Sequence, residues 1–229
     1  MTTHAELPRA VLLDYGGTLD GDALHWFDHF VALYARLGAA VAPARLKPAF
    51  YAADAELARV PDVHRFGLVR MTETHVRLQL AALGRSDAAL ERALIEAFVA
   101  DTRTAWDRNR PLLRLLARDF RLGVVSNSYG NMPALLADGA LGPFEVIVDS
   151  ATVGLRKPDP AIYRLAARRL DLPPEMILHV GDSWERDVVP ARSIGMRAAW
   201  LARPDATVPA VPAGVPRLAS LLELRELLT

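Results

Sequence analysis

Four short stretches of this chain combine carboxylate, hydroxyl, amide and ammonium groups with the glycines and prolines that fix where such groups point. In Asp14-Tyr15-Gly16-Gly17-Thr18-Leu19 a carboxylate closes an apolar run and is followed by glycines that admit close approach of the backbone. Asp14 there can attack an electrophile while the amides of Gly17 and Thr18 hold its oxygens; the plainer reading is an Asp-Gly turn. Val124-Val125-Ser126-Asn127-Ser128 ends another apolar run. Its hydroxyl and amide can donate to an anion, as Ser126 and Asn127 would, or simply terminate a strand. In Gly154-Leu155-Arg156-Lys157-Pro158-Asp159-Pro160 two prolines stiffen the loop around Lys157. A point charge held there offsets a carboxylate nucleophile and an anionic substrate together; elsewhere such a lysine is merely exposed. Val180-Gly181-Asp182-Ser183-Trp184-Glu185-Arg186-Asp187 delivers one aspartate to a strand tip and a second five residues on. Hard carboxylate oxygens facing Asp14 suit Mg²⁺, although Asp182 and Ser183 also fit a helix cap.

Elements that bring these groups together are visible in the hydrophobic pattern. Apolar runs at Ala10 to Asp14, Leu122 to Ser126, Phe144 to Asp149, Met176 to Gly181 and Arg197 to Leu201 read as buried strands. From residue 110 onward they alternate with helical patterns at Pro111 to Arg118, Met132 to Ala140, Pro160 to Leu170 and Glu185 to Ile194, with Leu218 to Leu228 last. This alternation predicts an α/β fold, a Rossmann-like doubly wound parallel sheet, whose ligand site lies outside the carboxyl ends of the strands. Residues 20–106 hold only helix-like patterns, Ala23 to Leu37, Arg45 to Arg59, Leu68 to Leu83 and Asp87 to Asp101. We therefore expect a core domain of residues 1–19 and 107–229 and an inserted α-helical cap domain of residues 20–106. Gly16, Gly17 and Gly21 on one side, and Asn109 to Pro111 on the other, are its expected hinges.

The 229 residues carry 27 basic and 27 acidic side chains and no cysteine. Zero net charge argues against nucleic acid or an anionic membrane as partner, and the absence of thiols excludes disulfides and cysteine nucleophiles. A polar start, Met1 to Pro8, and the lack of an apolar stretch of about 18 residues predict a cytoplasmic protein acting on a small molecule. No G-x-G-x-x-G follows the first strand, so a dinucleotide site is not expected. Lysine occurs only at Lys47 and Lys157.

In order and placement the four stretches resemble, over the whole chain, the haloacid dehalogenase superfamily of phosphatases and related hydrolases. Asp14 to Leu19 is similar to its first motif, Val124 to Asn127 to its second, Lys157-Pro158 to its third, and Gly181-Asp182-Ser183 with Asp187 to its fourth. The helical insert resembles the cap of its first subclass. The resemblance implies that Asp14 attacks phosphorus to give an aspartyl-phosphate, Ser126 binds the transferred group and Lys157 orients both. It also implies Mg²⁺ held by Asp14, the Gly16 carbonyl and Asp182, with Asp187 supporting, and a small phosphorylated metabolite as substrate.

One position departs from that pattern. The phosphatases carry a second aspartate, the general acid/base, where this chain has Gly16, and such help is typically worth about 10²- to 10⁴-fold. Asp20, Asp22 or His25 can replace it. Otherwise the leaving group or the bond differs, as in phosphonoacetaldehyde hydrolases, for whose Schiff base Lys47 is the sole candidate, or in the metal-independent 2-haloacid dehalogenases. A third account is a binding or regulatory protein that keeps the site. The pair Asp182 and Asp187 favours the metal-dependent branch. Trp26, Phe27 and Phe30 with His25 and His29 read as core packing or as a wall that selects the leaving group; His179 reads as a core histidine.

Overall fold

All four residues of β1, Ala10–Leu13, are shielded from solvent. Their alternation explains why: Val11 and Leu13 enter one hydrophobic cluster, Ala10 and Leu12 another on the opposite face. A strand apolar on both sides belongs in the middle of a sheet covered by helices. The computed structural model, which describes residues 7–21, 23–206 and 211–228, places it there. The sheet is wholly parallel, in the order β3-β2-β1-β4-β5-β6, with β2 at Arg121–Ser126, β3 at Val146–Asp149, β4 at Ile177–Gly181, β5 at Arg197–Leu201 and β6 at Arg217–Leu218. The expected α/β class and its five apolar runs are found as such. β6, two residues long, is too short to show a period in the sequence.

The chain moves outward from β1 in two directions, first to β2 and β3, then to β4, β5 and β6 on the other side. Such a switch point opens a crevice at the carboxyl ends of the strands. Leu13 pairs with both Val124 and Val180, so Asp14 emerges between the ends of β2 and β4. Its amide donates to the Val180 carbonyl at 2.9 Å.

Between β1 and β2 the chain forms α1 (Trp26–Arg36), α2 (Pro43–Leu57), α3 (Leu68–Ala82) and α4 (Ala88–Leu116). The separate helices expected at Asp87 to Asp101 and Pro111 to Arg118 are one continuous helix of 29 residues with Pro111 inside it. Proline removes one backbone donor. The buried stripe nevertheless continues past it, from Leu94, Phe98 and Trp106 to Asn109, Leu113 and Leu116, and that packing carries the helix through. The expected hinge at Asn109 to Pro111 is therefore not a loop, and α4 runs across the anticipated boundary at residue 107. Asn109 is fully buried, and its Nδ2 donates to the Leu19 carbonyl at 3.0 Å. That bond ties the segment leaving β1 to α4.

The remaining helices are short: α5 (Met132–Asp138), α6 (Ser150–Val153), α7 (Ala161–Arg169), α8 (Val189–Ser193) and α9 (Leu224–Leu227). The pattern read as one helix over Glu185 to Ile194 is a single π-helical turn, Trp184–Val188, leading into α8. Among the described residues no helix is long and apolar enough to cross a membrane.

Candidate active site

Asp14 meets Lys157 just beyond the sheet. Lys157 Nζ lies 2.7 Å from Asp14 Oδ1 and 2.6 Å from Asp187 Oδ1, with its side chain 2% exposed. Burial alone would lower the lysine pKa; the two carboxylates outweigh it and leave the ammonium raised above its ordinary value. The loop bearing Lys157 is fixed from β2. Asn127 Oδ1 accepts from the Lys157 amide at 2.9 Å, and its Nδ2 donates to the Lys157 carbonyl at 3.0 Å. Asn127, expected to bind substrate, has both polar atoms engaged with this backbone and so positions the ammonium.

Asp187 is held from all sides. Its Oδ1 accepts from Lys157 Nζ, from His179 Nε2 at 3.2 Å and from Tyr163 Oη at 3.3 Å, and its Oδ2 accepts from the Ser183 amide at 3.0 Å. His179 is thus a buried donor to Asp187. The π turn folds Asp187 back over β4, where a Cβ on Gly181 would fall 2.3 Å from Asp187 Cγ; only glycine admits that approach. Burial pushes the Asp187 carboxyl up, but Lys157 and His179 prevail and hold it far below the usual carboxylate range.

Among the described residues Asp182 has no comparable hydrogen-bond partner. Burial, then Asp14 and Asp187, push its carboxyl well above the ordinary value. Asp14, Asp182 and Asp187 each offer an oxygen within 4.8 Å of the others. With both Asp187 oxygens already accepting, Asp14 and Asp182 are the carboxylates suited to face a cation, and Asp187 supports from behind Lys157. Three carboxylates against one ammonium leave negative charge that a hard divalent ion fits. The donor set is therefore compatible with Mg²⁺.

The first motif differs from expectation in detail. Gly17 adopts a φ of +76°, and a Cβ on it would lie 2.5 Å from Asp182 Oδ2. Its amide donates to Asp20 Oδ1 at 2.7 Å, and Thr18 is fully buried; neither is among the residues lining the cavity over Asp14. Gly16 does line it, and a Cβ there would sit 3.6 Å from Trp26 Nε1. The Trp26 indole thus lies against the position where the resemblance in sequence implies a second aspartate. Its Nε1 donates to Asp20 Oδ2 at 2.5 Å. Burial raises the Asp20 carboxyl to about 7, against the hydrogen bonds from Trp26 and Gly17, yet Asp20 is not among the cavity-lining residues.

Of the other substitutes for a general acid/base, Asp22 lies outside the described residues. His25 reaches the cavity, but its Nδ1 accepts from the Phe27 amide at 3.2 Å. The ring proton then sits on Nε2, which makes His25 a neutral donor; burial, followed by Arg186, lowers its pKa. His29 turns instead to Asp101 at 2.9 Å. Phe30 stacks on Phe98 with centroids 4.9 Å apart, which places that part of the aromatic cluster in the core. Lys47 is exposed on α2 and does not line the cavity.

The cavity measures about 100 Å³ and brings Asp14, Gly16, Ser126, Asn127, Lys157 and Asp182 to one space. Its wall also contains Tyr51, Asp54, Tyr129, Arg156 and Arg186, none of which the sequence singled out. They come from α2, the loop after β2, the Lys157 loop and the π turn, and no spacing within one segment reports their convergence.

A family model described as haloacid dehalogenase-like hydrolase matches residues 8–195. The haloacid dehalogenase-like hydrolase domain-containing protein 3 of Danio rerio is 37% identical over 100 residues, 43% of this chain and 41% of that protein. A phosphoserine phosphatase of Thermus thermophilus is 32% identical over 129 residues, 53% of this chain and 52% of that one. The chain spans about half the length of these curated relatives. A solved 2-haloacid dehalogenase from Pseudomonas syringae pv. Tomato superposes with a TM-score of 0.53 at 23% identity, covering 97% of this chain and 98% of that one, and so shares the fold.

Proposed function

Because the chain belongs to the haloacid dehalogenase-like hydrolase family, we propose that this hydrolase is a Mg²⁺-assisted phosphatase of a small phosphorylated metabolite, working through an aspartyl-phosphate on Asp14. The observation that carries the reading is the contact of Asp14 with a buried Lys157 in a group of three carboxylates, Asp14, Asp182 and Asp187, whose oxygens lie within 4.8 Å of one another. An Asp14 oxygen attacks phosphorus, a new O–P bond forms, and the bond to the leaving oxygen breaks. Lys157 keeps its charge against nucleophile and phosphate throughout, and Ser126, at the end of β2, donates to the transferred group. Asp14, the Gly16 carbonyl and Asp182 would hold the metal, whose charge offsets that of the phosphoryl oxygens. Water then attacks phosphorus and releases Asp14. Phosphatases among the curated relatives support this branch.

Gly16 favours substrates whose leaving group departs without strong acid help, such as an acyl phosphate. The same glycine supports a second reading, because a halide leaves without any proton. One panel separates the two. The phosphatase reading expects phosphate release from p-nitrophenyl phosphate and acetyl phosphate that depends on Mg²⁺ and disappears in Asp14→Asn with the melting curve retained. Metal-independent chloride release from 2-chloropropionate, with no phosphate release, would replace it by the dehalogenase reading. Turnover unchanged in Asp14→Asn would exclude both.

A further inference from the structure

The cavity that holds Asp14 also contains a polar constellation that the phosphoryl chemistry leaves unused. Asp54, on α2, lines the same space. Its Oδ1 accepts from His75 Nε2 of α3 at 3.1 Å and from the Tyr129 hydroxyl of the loop after β2. One turn further along α3, Gln79 Nε2 lies 2.7 Å from His75 Nδ1. His75 and Gln79 are buried, so a row of shielded side chains ends on one carboxylate oxygen. The other, Oδ2, has no hydrogen-bond partner among the described residues, and the Asp54 side chain is 30% exposed. Side chains from two helices and a core loop thus fix a carboxylate with one oxygen open to ligand.

We propose that Asp54 is the specificity-determining residue of this cavity, its Oδ2 receiving a hydrogen-bond donor, an ammonium or a hydroxyl, on the leaving group of a small phosphate monoester. The proposal rests on the phosphatase reading above and names its substrate class. Recognition suits Asp54 better than proton transfer. Burial raises its carboxyl, but the hydrogen bonds from His75 and then Tyr129 prevail and hold it below the usual carboxylate range. A carboxylate so held is a poor base at neutral pH and a good fixed acceptor. The wall of the same cavity also carries Arg156 and Arg186. A cationic group enters such a wall only where a carboxylate receives it, and an apolar one leaves Oδ2 desolvated and unpaired. Sites built to pair with a polar group reject analogues that lack it for this reason.

Phosphonates test this without turnover, because a phosphatase does not cleave their P–C bond. Propylphosphonate, 3-hydroxypropylphosphonate and 3-aminopropylphosphonate are titrated calorimetrically into the full chain with Mg²⁺. At least one donor-bearing compound is expected to bind about tenfold or more tighter than propylphosphonate, and which one does so identifies ammonium or hydroxyl. Asp54→Asn can still accept from His75 and Tyr129 through its Oδ1, which turns an NH₂ to the cavity in place of an acceptor. The three compounds should then bind within about twofold of one another. Equal affinities in the wild type, no binding of any of the three, or the same preference in Asp54→Asn would overturn the proposal. Phosphate release from the matching esters, 3-hydroxypropyl phosphate and 3-aminopropyl phosphate, is measured beside it. Its absence from both with the donor preference intact would sink the phosphatase reading and leave the Asp54 site standing.

Discussion

Lys157→Met replaces the buried ammonium with an apolar side chain of similar length. Asp14 and Asp187 then lose a partner that stands at 2.7 and 2.6 Å in a site closed to solvent. Breaking a buried ion pair by removing one partner costs about 3–5 kcal/mol. For a chain of this size each kcal/mol lowers Tm by roughly 2–4 °C, so circular-dichroism melts in metal-free buffer at pH 7 should show a fall of about 6–20 °C. The pH dependence identifies the cause. A depressed carboxyl contributes stability that is present above its unfolded pKa and is lost as the pH falls through its folded one. Lys157 and His179 hold Asp187 far below the usual range against the effect of burial, so the wild type keeps that contribution well into acid. Without the ammonium Asp187 takes up a proton more easily, which relieves the variant as acid is added. The Tm gap between wild type and Lys157→Met should therefore narrow from pH 7 to pH 4. A drop below about 3 °C at pH 7, or a gap that stays constant, would refute the view that the lysine is the cation balancing this cluster.

Two further outcomes follow from the covered glycine. With the Asp20 carboxyl raised to about 7 and an unfolded value near 3.9, the folded state binds the extra proton between these limits, and ionisation weakens the fold as pH rises. Asp20→Asn, which cannot ionise, should gain on the wild type from pH 5 to pH 8 by up to about 2.6 kcal/mol; parallel Tm-against-pH curves would show that Asp20 does not titrate in the fold. In Gly16→Asp the Cβ meets Trp26 Nε1 at 3.6 Å, and we expect the indole to crowd the carboxylate beyond it. The variant should lose about 1–3 kcal/mol of stability without gaining phosphatase activity, whereas Gly16→Ala should cost little. A rise in turnover in Gly16→Asp with Trp26 intact would mean that the indole does not bar the position.

How much of this was legible in the sequence depends on what each feature is made of. The strands were, because Ala10 to Leu13 and Ile177 to Gly181 are buried on both faces and leave unbroken apolar runs. Asp14, Lys157 and Asp182 were, because each follows directly from a strand end or a proline-fixed loop. α4 was not, because Pro111 signals a break that tertiary packing overrides. The engagement of Asn127 by the Lys157 backbone was not, because hydrogen bonds across 30 residues leave no mark on either segment. Asp54 was hidden for the same reason. Its partners, His75 and Tyr129, lie 21 and 75 residues away, and in α2 it looks like one more polar residue in a helix. Trp26 was seen as part of an aromatic cluster, but its place over Gly16 arises from the turn between β1 and α1.

The central place of β1 also governs when catalysis can begin. Leu13 pairs with Val124 on one side and with Val180, 167 residues later, on the other. At roughly 5–20 residues per second of synthesis, the ribosome needs on the order of ten seconds or more to supply the second neighbour. Throughout that interval the strand bearing Asp14 has an unfilled edge, and the segment that carries Asp182 and Asp187 has not yet been made. A nascent chain interrupted before β4 thus has Asp14 but no means of assembling the cluster around it, and its apolar first strand is left as a target for chaperones or for mispairing.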